Sequence, residues 1–106
     1  MSIDLQALVK RKLNITWSDE ATDARVDDAI ASVMPALARR CGIDPSDLEA
    51  MDAFHDGGEL TGLLANACFY EWNHALDEFW ANYGPDVQAV RIMLETEAMS
   101  DAQQET

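Results

Sequence analysis

The segment Glu71-Trp72-Asn73-His74 has the spacing most suggestive of chemistry. Glu-x-x-His on a helix places a carboxylate and an imidazole on one face, as in helical di-iron proteins. Such a centre needs a second Glu-x-x-His and two further glutamates on facing helices. His55 and His74 are the only histidines, so the ligand set cannot be completed. The pair reads instead as a Glu–His contact on a solvated or intersubunit face. Cys41, Cys68, His55 and His74 lack the short paired spacing of structural zinc sites. Each cysteine falls in an apolar helical pattern without an adjacent base, which argues against an activated thiolate. Both read as reduced, buried thiols of a cytosolic chain. Gly57-Gly58 is a turn and not a phosphate cradle, because the Gly-x-x-x-x-Gly-Lys pattern is absent. Asp27-Asp28 and Asp77-Glu78 are sequence neighbours, and on a helix neighbours diverge by about 100°. Neither pair is an acid–base dyad. No cofactor, no metal and no enzymatic activity are expected.

The elements that carry these residues are helical throughout. A first helix is expected from near Ser2 to Lys12, capped by Ser2 or Asp4, with Leu5, Leu8, Val9 and Leu13 inward. Lys10-Arg11-Lys12 lies at its C-terminal end, where positive charge suits the helix dipole. Docking onto an acidic neighbour is the alternative use of that run. Asn14 to Ser18 is a connector, and Trp17 within it reads as a lid over the core. A second helix runs from Asp19 or Glu20 to Cys41 with the stripe Val26, Ile30, Val33, Met34, Leu37, Cys41. Its start is acidic, Arg39-Arg40 occupies its last turn, and Gly42 takes the left-handed stop. Pro35 should kink it, since proline cannot donate to the Ala31 carbonyl.

From Ile43 to Gly58 the pattern is irregular. Asp44-Pro45 looks like a cap and first-turn proline, a short helix passes through Leu48 and Met51, and Phe54 to Gly58 reads as an exposed loop. A third helix is expected over Glu59 to Tyr83. It carries Leu60, Leu64, Ala67, Cys68, Trp72, Leu76 and Phe79 on one row and Leu63, Phe69, Tyr70 and Trp80 on another. That is too much apolar surface for one buried face, so part of it should meet another subunit. Gly84-Pro85-Asp86 then opens a fourth helix to about Ala98, with Val87, Val90 and Leu94 inward. The fold class is therefore all-α: a small bundle of about four helices with a long loop between the second and third. Residues 1–98 form one domain, and 99–106 form a flexible polar tail.

Charge narrows the function. The 106 residues hold 20 Asp and Glu against 7 Lys and Arg, a formal net charge of −13. Nucleic-acid binding through phosphate needs clustered cations, and Lys10-Arg11-Lys12 is the one cluster. At 48% hydrophobic residues, a packed core is expected. No run of about 18 apolar residues is present to span a membrane.

The layout resembles the tailed-phage head–tail connector family, the head-completion or adaptor proteins also described as DNA-packaging proteins. The likeness starts in Leu8-Val9-Lys10-Arg11-Lys12-Leu13-Asn14-Ile15 and the acidic opening Asp19-Glu20-Ala21-Thr22-Asp23. It continues through Ile30, Ala36, Leu37 and Cys41-Gly42-Ile43, then Glu78-Phe79-Trp80-Ala81-Asn82-Tyr83 and the helix from Asp86 to Leu94. It is a pattern of helix lengths and apolar positions from Ser2 to Ala98. The segment Asp44 to Gly58 and Pro35 depart from it. The resemblance implies a virion protein, made in the bacterial cytoplasm, that forms a ring of identical subunits at the head–tail interface, twelvefold being one order such a ring can take. Its partners would be the portal and the next head-closure or tail protein. Double-stranded DNA would pass through the ring unbound, repelled by carboxylates. The candidate contacts are Lys10, Arg11, Lys12, Trp17, Phe54, Trp72, Phe79 and Trp80. The competing reading is a small acidic DNA mimic that inhibits a DNA-binding enzyme.

Overall fold

Three of the helices begin at an aspartate whose carboxylate takes up a free backbone N–H of the first turn. The computed structural model describes residues 3–104, the side chains from 98 onward excepted. Asp4 accepts from the Ala7 N–H at 3.2 Å and opens α1, Leu5–Lys12. Asp19 accepts from the Thr22 N–H at 3.1 Å and opens α2, Glu20–Arg40. Asp47 accepts from the Ala50 N–H at 3.2 Å and opens the short α3, Leu48–Met51. Such caps satisfy donors that the helix itself cannot. Ser2, the other cap considered for α1, lies outside the described residues.

The helices end by a shared device. The residue after the cap takes a left-handed backbone, and its own N–H and that of the following residue turn back onto the last turn, closing a Schellman motif. In α1 this residue is Asn14 (φ 61°), with Ile15 N–H on the Lys10 carbonyl at 2.8 Å. In α2 it is Gly42 (φ 79°), with Ile43 N–H on the Ala38 carbonyl at 2.8 Å. Ile15 and Ile43 are both buried, so each stop also drives an apolar side chain into the core. α2 is one helix through Pro35, held by Val26, Ile30, Val33 and Leu37 on both sides of it.

The third long helix is two. α4 spans Glu59–Trp72 and α5 spans Leu76–Asn82. His74 adopts φ 57°, its N–H reaches the Glu71 carbonyl at 3.0 Å, and Ala75 N–H reaches the Tyr70 carbonyl at 2.8 Å. The same closure that ends α1 and α2 thus breaks the expected helix from Glu59 to Tyr83. α6, Gly84–Gln104, begins where the glycine–proline pair was read as a start, and runs past Ala98 to Gln104. Residues 105–106 of the expected tail lie outside the described residues. The segment expected to be a long loop holds α3 and a 3₁₀ turn, Asp52–His55. Among the described residues there are six α-helices and no strand, in place of about four helices.

Asp44 caps no helix. Its carboxylate takes the Ser46 N–H and hydroxyl, which tightens a turn one step before Asp47. These bonds hold the Asp44 carboxyl below the usual carboxylate range.

α4 sits at the centre, packed against α1, α2, α5, α6 and the 3₁₀ turn. Most of its apolar surface is met within the chain, since Leu60, Leu63, Leu64, Ala65, Ala67 and Cys68 are buried, while Phe69 stays exposed. The radius of gyration is 14.8 Å, above the roughly 13 Å of a compact chain of this length. The longest dimension is 52 Å, and α6 turns Val87, Val90 and Leu94 inward.

Candidate docking surfaces

The chemistry first sought does not assemble. His74 ends α4 in a left-handed turn and is exposed, while Glu71 is half-buried on the helix proper. His74 thus leaves the helical register that a ligand pair needs, although both residues border one open cleft with Arg25, Asp28 and Trp72. Among the described residues, no three His, Cys, Asp or Glu side chains converge on a metal position. Cys41 and Cys68 are free and buried. Burial pushes the Cys41 thiol up. Burial, aided by the Glu71 charge, pushes Cys68 up to about 12. Neither forms a thiolate near neutral pH, so neither is a nucleophile.

What the fold does build is a set of aromatic surfaces, each handled differently. Phe79 is fully buried. It stacks on Tyr83 at 4.8 Å and meets Tyr70 and Trp80 edge-on at 5.8 and 5.1 Å. Phe54 is also fully buried. Its carbonyl accepts the Thr61 hydroxyl at 2.8 Å, and that hydroxyl accepts the Gly57 N–H at 3.0 Å. Phe54 is thereby folded onto α4, while Asp56, Gly57 and Gly58 of the expected exposed loop do lie exposed. Phe54 and Phe79 are core residues and are withdrawn as contacts.

Trp72 and Trp80 are half-buried, each beneath an arginine. The Arg25 guanidinium lies 3.9 Å from the Trp72 ring centroid, and Arg40 lies 4.0 Å from that of Trp80. Both arginines come from α2, so the long acidic helix supplies cationic lids for the rings of α4 and α5. Neither lid was legible in the sequence, because Arg25 and Arg40 share no local spacing with the rings they cover.

No match exists. The chain matches no known protein family, no characterised protein and no solved structure. The surface itself must carry the functional reading.

Trp17 is not a core lid. It is 54% exposed, and its indole N–H is held by the Asp19 carboxylate at 3.2 Å and the Thr22 hydroxyl at 3.4 Å. The Thr22 hydroxyl, then the Thr22 N–H, hold the Asp19 carboxyl below the usual range. Trp17 stands beside an open cleft of about 430 Å³ with Leu13, Ile15, Ala21 and Trp72. Lys10 is committed internally, 2.7 Å from Asp23 and 3.2 Å from the Ser18 hydroxyl. It ties α1 to α2, and only Arg11 and Lys12 of the basic run face solvent.

The remaining exposed apolar side chains are Leu48 on α3, Phe69 on α4, and Ile92 and Met93 on α6. Ile92 (52% exposed) and Met93 (43%) lie with Ala89 and Thr96 on the row of α6 opposite its buried face. Helical spacing makes this row continuous. Around it the carboxylates are free: among the described residues, only Asp23 and Glu95 take part in ion pairs. Among the described residues, no helix is long and apolar enough to cross a membrane.

Proposed function

We propose that this chain is a structural adaptor of the phage head–tail connector kind, assembling as a ring below a portal and extending the DNA channel toward tail-side proteins. The single observation that carries the reading is the outer row of α6. A helix that buries Val87 and Val90 and half-buries Leu94 while exposing Ile92 and Met93 has two apolar faces, and the chain covers one. Apolar side chains left open in this way suit contact with other subunits. The unpaired carboxylates support the same reading, since a channel wall of negative charge lets DNA phosphate pass without adhering. Contacts that are not self-complementary close into rings when the rotation per subunit permits. The role is non-catalytic, in keeping with buried, protonated thiols and a lone Glu–His pair.

The test is mass in solution, alone and with a portal ring. Rings, or a monomer that becomes a ring on the portal, are expected. Finding neither assembly nor portal binding from low to high protein concentration refutes the reading. The free carboxylates also suit a DNA mimic. That reading predicts salt-sensitive binding to a DNA-binding enzyme with competition by duplex DNA, and failure to compete removes it.

A further inference from the structure

We infer that copies of this chain meet head to tail along α2, the arginine corner at its C-terminal end receiving the acidic N-terminal end of the next copy. The inference rests on the adaptor reading and names the surfaces that join.

The cations are few and unevenly placed. Of 7 Lys and Arg, three meet at one corner. Arg39 and Arg40 form the last turn of α2, and Arg91 of α6 lies over Gly42, the residue that ends α2. Arg40 and Arg91 line one open cleft of about 270 Å³ with Trp80 and Gln88. Arg39 and Arg40 take part in no ion pair among the described residues. Arg40 lies over the Trp80 ring and stays exposed, so its N–H groups can reach a carboxylate of another chain. Asp44, which the charge of Arg39 reaches, already turns to the Ser46 N–H and hydroxyl. Arg91 pairs with Glu95 on the open surface, where such pairs are weak and exchangeable.

The other end of α2 is the reverse. Asp19, Glu20, Asp23, Asp27 and Asp28 stand there against two cations that are already engaged, Arg25 with Trp72 and Lys10 of α1 with Asp23, which leaves Asp19, Glu20, Asp27 and Asp28 outside any ion pair among the described residues. From Ala29 to Ile43 there is no acid at all. The helix has 21 residues, so its ends lie about 30 Å apart at 1.5 Å per residue. One rigid rod thus carries opposite charge at its two ends, both on exposed side chains.

Each end also has an apolar anchor. Trp17, held in place by Asp19 and Thr22, flanks the acidic end. At the basic end the half-buried Trp80 lines the same cleft as Arg40 and Arg91. Tryptophan and arginine are the residues that dominate interface energetics. Complementary charge selects and orients the partner. The two patches differ, so a contact between them is heterologous and propagates toward a ring.

Two variants test this, both altering exposed side chains outside the core: Arg39→Glu with Arg91→Glu, and Glu20→Arg with Asp28→Arg. Folding is checked by circular dichroism, and mass is followed by sedimentation at about 0.15 M salt, where the Debye length is near 8 Å. The parent chain should assemble beyond a dimer. Each variant alone should associate at least about thirtyfold more weakly, as charge reversal at an interface requires. An equal mixture should regain assembly, because each variant then offers the patch that the other needs. Variants that assemble like the parent, or a mixture that stays apart, overturn the inference. Assembly that stops at a dimer and responds to both reversals marks an antiparallel pair and overturns head-to-tail docking. Duplex DNA held by the arginine corner of a parent that does not self-associate overturns it in favour of phosphate. A parent that is monomeric alone yet forms rings on a portal also overturns it, while leaving the adaptor reading intact. Absence of both removes the two together.

Discussion

Thr61→Val exchanges a hydroxyl for a methyl of nearly the same volume at a position 3% exposed. That hydroxyl donates to the Phe54 carbonyl at 2.8 Å and accepts the Gly57 N–H at 3.0 Å. Valine removes both bonds and leaves the buried carbonyl without a donor. An unsatisfied buried group costs about 1–3 kcal/mol, and the partly exposed Gly57 N–H falls at the low end, so the expected loss is about 2–3 kcal/mol. For a chain of this size that lowers Tm by roughly 10–20 °C. Thr61→Ser is the control, since it keeps the hydroxyl and gives up one methyl, worth about 1 kcal/mol. Guanidinium unfolding followed at 222 nm measures both. The valine variant should unfold at lower denaturant than the serine variant with the same slope. If valine is as stable as serine, the hydroxyl is not what folds the Phe54 segment onto α4, and the account of that segment fails.

The thiols give a pH prediction. Cys68 has a folded value of about 12 against 9.0 for a free thiol, so the unfolded chain loses its proton first. Stability is unaffected below pH 9 and falls as pH rises from 9 toward 12. The Cys68→Ala variant should flatten that part of the stability curve, and intact protein should resist thiol reagents at pH 8 until denatured. His74→Gly relieves a side chain held at φ 57° and should stabilise the protein by about 0.5–1 kcal/mol in thermal unfolding. A drop in Tm would mean that the imidazole makes a contact worth more than the strain. Trp17→Ala should change folding stability by no more than about 0.5 kcal/mol, as exposed positions do, yet weaken self-association in the sedimentation assay. Unfolding at much lower denaturant would return Trp17 to the core.

Much of the helical framework could be read from residue types because the signals are local. Asp4 as a cap, Gly42 as a stop and the α2 stripe each follow from a few neighbouring residues. The break at His74 escaped because the apolar rows keep their phase across it, and histidine in a left-handed turn has no distinctive spacing. Phe54 escaped because its burial depends on Thr61, a threonine inside an apolar run that gives no sign of reaching back to a loop carbonyl. The internal role of Lys10 depends on Asp23, a contact between two helices. The arginine lids on Trp72 and Trp80 are likewise tertiary. They change what the aromatic residues mean, because rings that suggested subunit contacts are largely covered by the chain's own guanidinium groups.

The three indoles consequently form a built-in set of optical reporters. Two are shielded by a cation from the same polypeptide, whereas Trp17 is open to solvent beside a carboxylate. A soluble quencher should therefore extinguish mainly Trp17 emission. Any event that covers the start of α2 will show as lost quenching and a shift to shorter wavelength, with no label attached.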